Sequence, residues 1–314
     1  MIISHSRIKM WKNNHYDHYQ KYIKKLVPKE KGQALIRGSI IHECLEAYYE
    51  GRSWKKVWKK FQEEYYQGLF EEEKGQKNDI AYMANELLEA YFYYYEQEDE
   101  ETEFLFNELH FELDLIEDVK LEGYIDAVIV DKNGGIWVKD YKTYRSMPTY
   151  DSLRFNYQSA IYIWALEQMG YTVKGMIWDI ITAKTPSKPQ LLKNGEVSKR
   201  ALDSNPYTVE KGIMELGLDP NDYLELIESV KYENYFQRIK IRNTEFINAM
   251  MDDIRDTAWQ IKEYGHIFKD MNLETKFNSP YLPLWQAEVN GGDIDFIIKT
   301  QYEEKGNGRD GNRK

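Results

Sequence analysis

The sequence predicts an α/β fold, and three changes in its hydrophobic pattern support this. In the first hundred of the 314 residues, apolar and aromatic side chains recur at spacings of three and four, as in amphipathic helices. From Phe104 to Thr143 the period is two, which is typical of strands. A helical segment closed by Gly170 and one more strand follow. Strands and helices in this order predict a sheet covered by helices.

The predicted elements follow the chain as two helices, a three-stranded meander, a helix and a fourth strand. Gly51 ends the first helix, and Asn133-Gly134 forms the turn between the second and third strands. The segments are QALIRGSIIHECLEAYYEG, IAYMANELLEAYFYYYEQ, FLFNELHFELDLI, KLEGYIDAVIV, GGIWVKDYKT, LRFNYQSAIYIWALEQMG and TVKGMIWDIITAK.

The chain shows neither an internal repeat nor a low-complexity linker, so we expect one domain over residues 1–303 and a disordered tail at 304–314. The domain divides into an N-terminal helical part, a catalytic α/β core, and a loop with C-terminal helices. These parts are residues 1–103, 104–184 and 185–303, where 185–206 is predicted to be an extended hairpin or loop and 220–266 to be helical.

The composition of the chain limits the classes of protein to which it can belong. The single cysteine, Cys44, excludes an intramolecular disulfide and fits a reducing compartment. No apolar run approaches the roughly 20 residues of a membrane span, so we expect a soluble, cytoplasmic protein without a membrane partner. The net charge of −11 argues against nonspecific coating of nucleic acid. The basic stretch Arg52–Lys60 either guides DNA locally or is a solvated helix face.

Two acids and a lysine form the candidate site. Side chains alternate along a strand, so Asp140 and Lys142 share a face with Val138. Asp126 and Asp140 are equidistant from Asn133, and a regular hairpin would bring their carboxylates opposite each other. Adjacent carboxylates are costly without a cation between them.

The chemistry that suits this arrangement is metal-assisted phosphodiester hydrolysis. Carboxylates are ligands of Mg²⁺ or Mn²⁺, which would polarise a phosphate and activate water. Lys142 would orient or deprotonate that water and stabilise developing charge. The alternative is a surface ion pair on a two-stranded ribbon.

Further motifs surround this pair in a characteristic order. The chain carries S-x-S-R, G-x-x-x-H, G-x-x-D, D-x-K and Q-x-x-x-Y. These are Ser4–Arg7, Gly38–His42, Gly123–Asp126, Asp140–Lys142 and Gln158–Tyr162. In this order they resemble the RecB-like branch of the PD-(D/E)XK nucleases, including phage exonucleases and CRISPR-associated relatives. The resemblance implies a restriction-endonuclease-like fold, a central mixed sheet flanked by helices, with extra N- and C-terminal helices.

The resemblance also implies roles for individual residues. Asp126 and Asp140 would bind the metal through carboxylates, the main-chain carbonyl of Tyr141 would complete the set, and His42 would add a nitrogen ligand. Lys142 would be the catalytic lysine. Without the motif context, His42 would be interpreted as a structural histidine.

Candidate DNA contacts come from three residues. Gln158 and Tyr162, one helical turn apart, would contact DNA near the scissile phosphate and support the lysine, although a helix surface and core role is the alternative. Arg37 would contact phosphate because it, like the cluster Arg52–Lys60, flanks the histidine helix. Glu108 matches an acid in relatives, and its role is open. The segment Tyr232–Arg242 would stack on a single strand or, as we prefer, pack in the core.

The chain departs from many RecB-like nucleases in lacking the four cysteines of an iron-sulfur cluster. Asn13 and Asn14 stand at the place of the first, and the segment of residues 277–296 has no cysteine. We therefore expect no iron-sulfur cluster. Apolar packing is expected to tie the two ends of the chain together, through Trp11, Tyr281, Leu282 and Trp285.

The leading hypothesis is a divalent-metal-dependent exonuclease acting on single- or double-stranded DNA ends. It would serve phage-type recombination or replication in the host cytoplasm, with a helicase, recombinase or single-strand binding protein as partner. Two alternatives remain: a structure-specific endonuclease or nickase, and a non-cutting DNA-end binding or assembly protein.

Overall fold

The computed structural model describes residues 1–69, 71–75, 79–198, 200–244 and 246–305. The strands are β1 Ile2–Ser4, β2 Leu26–Pro28, β3 Glu103–Ile116, β4 Val119–Val130, β5 Ile136–Tyr144, β6 Val173–Thr182, β7 Phe236–Arg242 and β8 Tyr302–Glu304. The α-helices are α1 His5–Asn13, α2 His15–His18, α3 Gln33–Tyr49, α4 Trp54–Tyr66, α5 Ile80–Glu100, α6 Tyr150–Arg154, α7 Tyr157–Gln168, α8 Pro206–Glu215, α9 Leu224–Glu228, α10 Phe246–Tyr264, α11 Leu282–Asn290 and α12 Ile294–Gln301.

A mixed six-stranded sheet forms the centre of the molecule. Its order is β1-β4-β5-β6-β7, and β3 also pairs with β4. The three strands β3, β4 and β5 form the predicted antiparallel meander. β6 is parallel to β5, and such a pair requires a crossover, here provided by α7. The predicted α/β fold, a central mixed sheet flanked by helices, is confirmed.

Helices cover both faces of this sheet. One face packs against α1, α7 and α10 in a core that includes Val138, Ile161 and Ile254. The other face packs against α3 and α5, with Tyr141 pointing into that second core. Alternate residues of β5 therefore face different helical layers. Among the described residues, no helix combines the length and apolar character that crossing a bilayer requires.

The helical prediction for residues 220–266 is wrong over Phe236–Arg242, which forms strand β7 antiparallel to β6. The sequence FQRIKIR alternates apolar and polar residues, a period of two that suits a strand. β6 also offers main-chain groups that need a partner on this side. Phe236 and Ile241 are buried, as the core-packing interpretation of this segment expected.

The structure differs at two further places from the elements predicted for these segments. The N-terminal helical part contains the short strands β1 and β2. Glu304, predicted to begin the disordered tail, ends strand β8, which pairs with β2. Residues 306–314 of that predicted tail lie outside the described residues. Within the described part of residues 185–206, an antiparallel bridge joins Leu191 and Val197, as a hairpin would require.

The two ends of the chain are tied together by side chains near Tyr281. Its hydroxyl donates to the Leu26 carbonyl at 2.6 Å, and Ser279 donates to Asp17 at 2.5 Å. Trp285 packs against the same cluster, where Leu284 is buried and the predicted Leu282 is only half-buried. Trp11 serves a different contact, because its indole donates to Gln260 on α10 at 3.3 Å.

Candidate functional site

The site lies where two strands part. β5 pairs with β4 at Ala127–Val130, and β1 pairs with β4 at Lys120–Glu122. The four residues Gly123–Asp126, which form the G-x-x-D motif, lie between these two paired segments. Beyond the Ala127–Lys139 pair, the main-chain ladder between β4 and β5 ends.

The hairpin register places the two acids as the sequence predicted. Ala127 pairs with Lys139, so Asp126 and Asp140 are the next positions outward from the turn. The acceptor of the Tyr141 main-chain N–H is a side chain and not a strand carbonyl: the N–H donates to Asp126 Oδ2 at 3.0 Å. Asp126 is thereby fixed against the strand that carries Asp140.

Asp140 and Lys142 project from the same face of β5. Lys142 Nζ lies 2.5 Å from Asp140 Oδ2. The Asp140 side chain is buried, whereas that of Lys142 is 28% exposed. The ion pair therefore joins a buried acid to a cation that is partly exposed to solvent.

Gln158 supports the second oxygen of Asp140. Its Nε2 donates to Asp140 Oδ1 and to the Tyr162 hydroxyl, each at 2.9 Å. Asn156 is the N-cap of helix α7, and its side chain accepts the Gln158 main-chain N–H. Gln158 and Tyr162 are 8% and 7% exposed, so the structure places both inside the protein as supports of Asp140.

His42 reaches the same point from the opposite helical layer. Its Nε2 donates to the Tyr141 carbonyl at 2.5 Å, and its Nδ1 lies 3.5 Å from Asp126 Oδ2. The parting of the strands is what lets a side chain of α3 meet these groups. Cys44, two residues further, is buried, and burial raises the pKa of its thiol to about 12, so it is unreactive.

The electrostatics of the site are set by burial and by one cation. Burial raises the pKa of Asp126 to about 6, and Lys142 opposes this rise. Burial raises the pKa of Asp140 to about 6 as well, with a further contribution from Asp126. Burial alone would lower the pKa of Lys142, but the two carboxyls outweigh it and the pKa is raised. The lysine is therefore charged at neutral pH.

The donor set matches a hard divalent cation in its chemistry. Within the described ranges, no three His, Cys, Asp or Glu side chains are arranged to hold a metal ion. His42 and Asp126 instead face the Tyr141 main chain, and Asp140 faces Lys142. Two carboxylates, a carbonyl and an imidazole are nevertheless ligands that Mg²⁺ or Mn²⁺ accepts. A cation would also relieve the two buried acids whose pKa values are raised.

The basic residues predicted to contact phosphate are not gathered at this site. Arg37 is half-buried five residues before His42, which separates them by about 140° around α3. In the cluster Arg52–Lys60, Arg52 pairs with Glu46 and Glu50, and Lys55 pairs with Glu89. Arg52 and Lys55, two of the five cations of this cluster, are therefore balanced within the fold.

Two structural features beside the site, a main-chain conformation and a ring contact, were not predicted from the sequence. Glu108 stands at the register position of Asp126 and has a left-handed φ of 52°, an unusual conformation for a non-glycine residue within a strand. Phe111 pairs with Gly123, and a Cβ at Gly123 would lie 2.5 Å from the Phe111 ring. The motif glycine is thus required by a ring that also packs edge-to-face on Tyr162.

Comparisons with known proteins complete the description. A comparison with curated proteins finds no match. A candidate exonuclease structure from Eubacterium rectale is 12% identical, with a TM-score of 0.38, covering 79% of this chain and 87% of that one. The structure of SSO0001 is 13% identical, with a TM-score of 0.27, covering 81% and 93%. These likenesses are too weak to carry an argument. The family model of the PD-(D/E)XK nuclease superfamily matches residues 2–275, and the chain therefore belongs to that superfamily and is a nuclease.

Proposed function

We propose that this nuclease is a divalent-metal-dependent deoxyribonuclease that hydrolyses phosphodiester bonds at DNA ends. The observation that carries the proposal is the meeting of Asp126, Asp140, the Tyr141 carbonyl and Lys142 where β4 and β5 part. Each has a distinct task in phosphodiester hydrolysis.

Asp126, Asp140, the Tyr141 carbonyl and His42 are the residues that would hold Mg²⁺ or Mn²⁺. When bound, such an ion polarises the scissile phosphate and lowers the pKa of a water molecule. The burial of Asp126 and Asp140 favours metal binding, because ionised carboxylates in a protein interior are stable only beside a compensating charge.

Lys142 acts as a charged group. Its pKa is raised, so it orients the attacking water and stabilises the negative charge that develops on the phosphate, rather than removing a proton. Asp140 holds the ammonium in place through their ion pair, and Gln158 holds Asp140. The lysine is the partly exposed member of this chain of contacts and meets the substrate.

Gln158 and Tyr162 act in this proposal as supports beneath the scissile phosphate, since both are buried. Arg37 is retained as a peripheral phosphate contact on α3. A role in phage-type recombination or replication, with a helicase, recombinase or single-strand binding protein as partner, extends the same proposal.

The test uses end-labelled single- and double-stranded oligonucleotides, blocked by phosphorothioates at either end, with Mg²⁺, Mn²⁺ or a chelator. We expect degradation from an unblocked end that requires the metal and is lost in Asp140→Ala. Degradation that ignores both the chelator and Asp140→Ala would contradict the proposal.

A covalently closed circular DNA separates the alternatives. An end-dependent exonuclease leaves this substrate intact, whereas a structure-specific endonuclease or nickase opens it. A non-cutting end-binding protein retards labelled linear DNA in a gel without shortening it, and Lys142→Ala changes nothing in that pattern.

A further inference from the structure

A network of buried charges lies on the face of β5 opposite Asp140. Lys139 is 1% exposed, and its Nζ lies 2.9 Å from Asp179 Oδ2 on β6 and 3.9 Å from Asp99 Oδ1 on α5. Arg238 on β7 reaches the same two acids, with Nε 3.0 Å from Asp179 Oδ2 and Nη1 2.8 Å from Asp99 Oδ1. Two cations and two anions thus link three strands to one helix.

Two tyrosines extend this network to the helix that carries His42. The Tyr49 hydroxyl at the end of α3 donates to Asp99 Oδ2 at 2.7 Å and accepts from Arg238 Nη2 at 3.2 Å. Tyr91 donates to Asp179 Oδ2 at 2.7 Å and lies 3.0 Å from the Tyr49 hydroxyl. We call these six residues the back-face network: Lys139, Asp179, Arg238, Asp99, Tyr49 and Tyr91.

Tyr49 and His42 lie on the same face of α3, because seven residues correspond to two helical turns with a drift of about 20°. Both contact Tyr141 on β5. His42 bonds the Tyr141 carbonyl, while the Tyr49 ring stacks on the Tyr141 ring at 5.7 Å with an angle of 12° between the planes. The Lys139 ammonium lies 4.9 Å from the Tyr49 ring centroid and adds a cation–π contact.

Stability alone does not explain a buried network of this kind. Removing charges from water is costly, and apolar side chains of similar volume often serve stability as well or better. Directional contacts, in contrast, allow only one position of α3 along β5. Apolar contacts are less directional, so the aromatic core around these charges fixes the position of the helix less sharply.

We propose that Lys139 is a positioning residue of the nuclease site. Through Asp179, Asp99 and Tyr49 it fixes α3 on β5, so that His42 meets the Tyr141 carbonyl and Asp126 at the distances described. The positioning of His42 is a property of the protein alone, whereas its consequence for metal binding rests on the proposed function.

The test compares Lys139→Met with the double variant Lys139→Met/Asp179→Asn. The single variant leaves Arg238 to face both Asp179 and Asp99, with one excess negative charge, whereas the double variant keeps the network neutral and is used if the single one fails to fold. Lys120→Met is the matched control, because Lys120 is exposed on β4 and pairs with Glu112 at the surface. Thermal unfolding of each variant is recorded first.

The first readout is the histidine ring NMR spectrum of the metal-free protein at one pH, with the His42 signal assigned from His42→Gln. We expect the His42 signal to move in the network variants, while the signal of His110, which pairs with Glu122 away from the network, stays in place. An unchanged His42 signal in a folded network variant would overturn the proposal, whatever the activity.

The second readout is Mn²⁺ affinity by calorimetry. Groups that orient a metal ligand typically change affinity by 10- to 100-fold, so we expect roughly tenfold weaker binding in the double variant. In a His42→Ala background the same two substitutions should have no further effect. An equal loss in both backgrounds would show that the network does not act through His42. A wild-type protein that binds no Mn²⁺ would contradict the proposed function and leave the NMR result standing.

Discussion

The ammonium nitrogen of Lys142 lies 2.5 Å from Oδ2 of Asp140, and both side chains leave the same face of one strand. The pair thus combines a buried acid, whose pKa is raised to about 6, with a partly exposed lysine whose pKa is also raised. The acid is suited to a metal and the cation to a phosphate. Their different exposure separates the two tasks.

Lys142→Ala is expected to lower the single-turnover rate of DNA cleavage by roughly 10²- to 10³-fold, the usual effect of removing one group that stabilises transition-state charge. Mn²⁺ affinity should be retained, because Asp126, Asp140 and the Tyr141 carbonyl remain. Quenched-flow cleavage and calorimetry measure the two quantities, with Lys120→Ala as the surface control. A parallel loss of rate and affinity would count against a charged role for the lysine.

Asp126→Asn is expected to stabilise the metal-free protein at pH 8 while abolishing cleavage. Burial raises the pKa of Asp126 to about 6, above its ordinary value of about 4. The folded chain therefore binds more protons than the unfolded chain between these values, and the free energy of unfolding falls as pH rises through about 4 to 6. Asparagine removes this loss, which is about 3 kcal/mol for a pKa that rises from about 4 to about 6.

Thermal unfolding in chelator at pH 4 and pH 8 tests the sign of this effect. The advantage of Asp126→Asn should appear at pH 8 and shrink at pH 4, where the carboxyl is protonated in the folded chain and about half protonated in the unfolded chain. A variant that is less stable than the wild type at pH 8 would contradict the pKa argument.

Gln158→Leu is expected to lower the cleavage rate by roughly 10- to 100-fold, as loss of a group that orients a metal ligand does. It removes the donor to Asp140 Oδ1. Tyr162→Phe is the matched comparison, because it keeps that bond and removes only the second acceptor of Gln158. Initial rates at several Mn²⁺ concentrations should rank Gln158→Leu well below Tyr162→Phe. Equal cleavage rates would show that the hydrogen bond from Gln158 to Asp140 does not contribute to the reaction.

Gly123→Ala is expected to cost about 1–3 kcal/mol of unfolding free energy, because its Cβ would overlap the buried Phe111 ring. Gly38→Ala provides the contrast. A Cβ there would meet Thr143 at an ordinary 3.5 Å, and alanine favours the helix. Urea unfolding should therefore show one motif glycine as sensitive and the other as tolerant. Similar results for both would show that the Phe111 ring moves aside.

Local pattern was sufficient to predict the part of the site that depends on one hairpin. The equal distance of Asp126 and Asp140 from Asn133 predicted their register, and alternation predicted the faces of Asp140 and Lys139. The meeting of His42 with Tyr141 depends on packing between residues 99 positions apart, and motif resemblance alone pointed to it.

The hydrophobic pattern of the sequence could not predict the back-face network or strand β7, for the same reason. A period of two indicates which way Lys139 points, but its partners come from α5, β6 and β7. The strand in Phe236–Arg242 is short, and it lies between helical segments whose period dominates a longer window. Tertiary pairing with β6 decided its conformation.

The parting of β4 and β5 has a consequence for spectroscopy. At this point the Tyr141 N–H is held by the carboxylate of Asp126 instead of a strand carbonyl. A cation that draws charge from that carboxylate will weaken its hold on the proton. Metal binding should therefore change the chemical shift and the hydrogen-exchange rate of the Tyr141 main-chain N–H. This amide would report metal binding even in the absence of DNA cleavage.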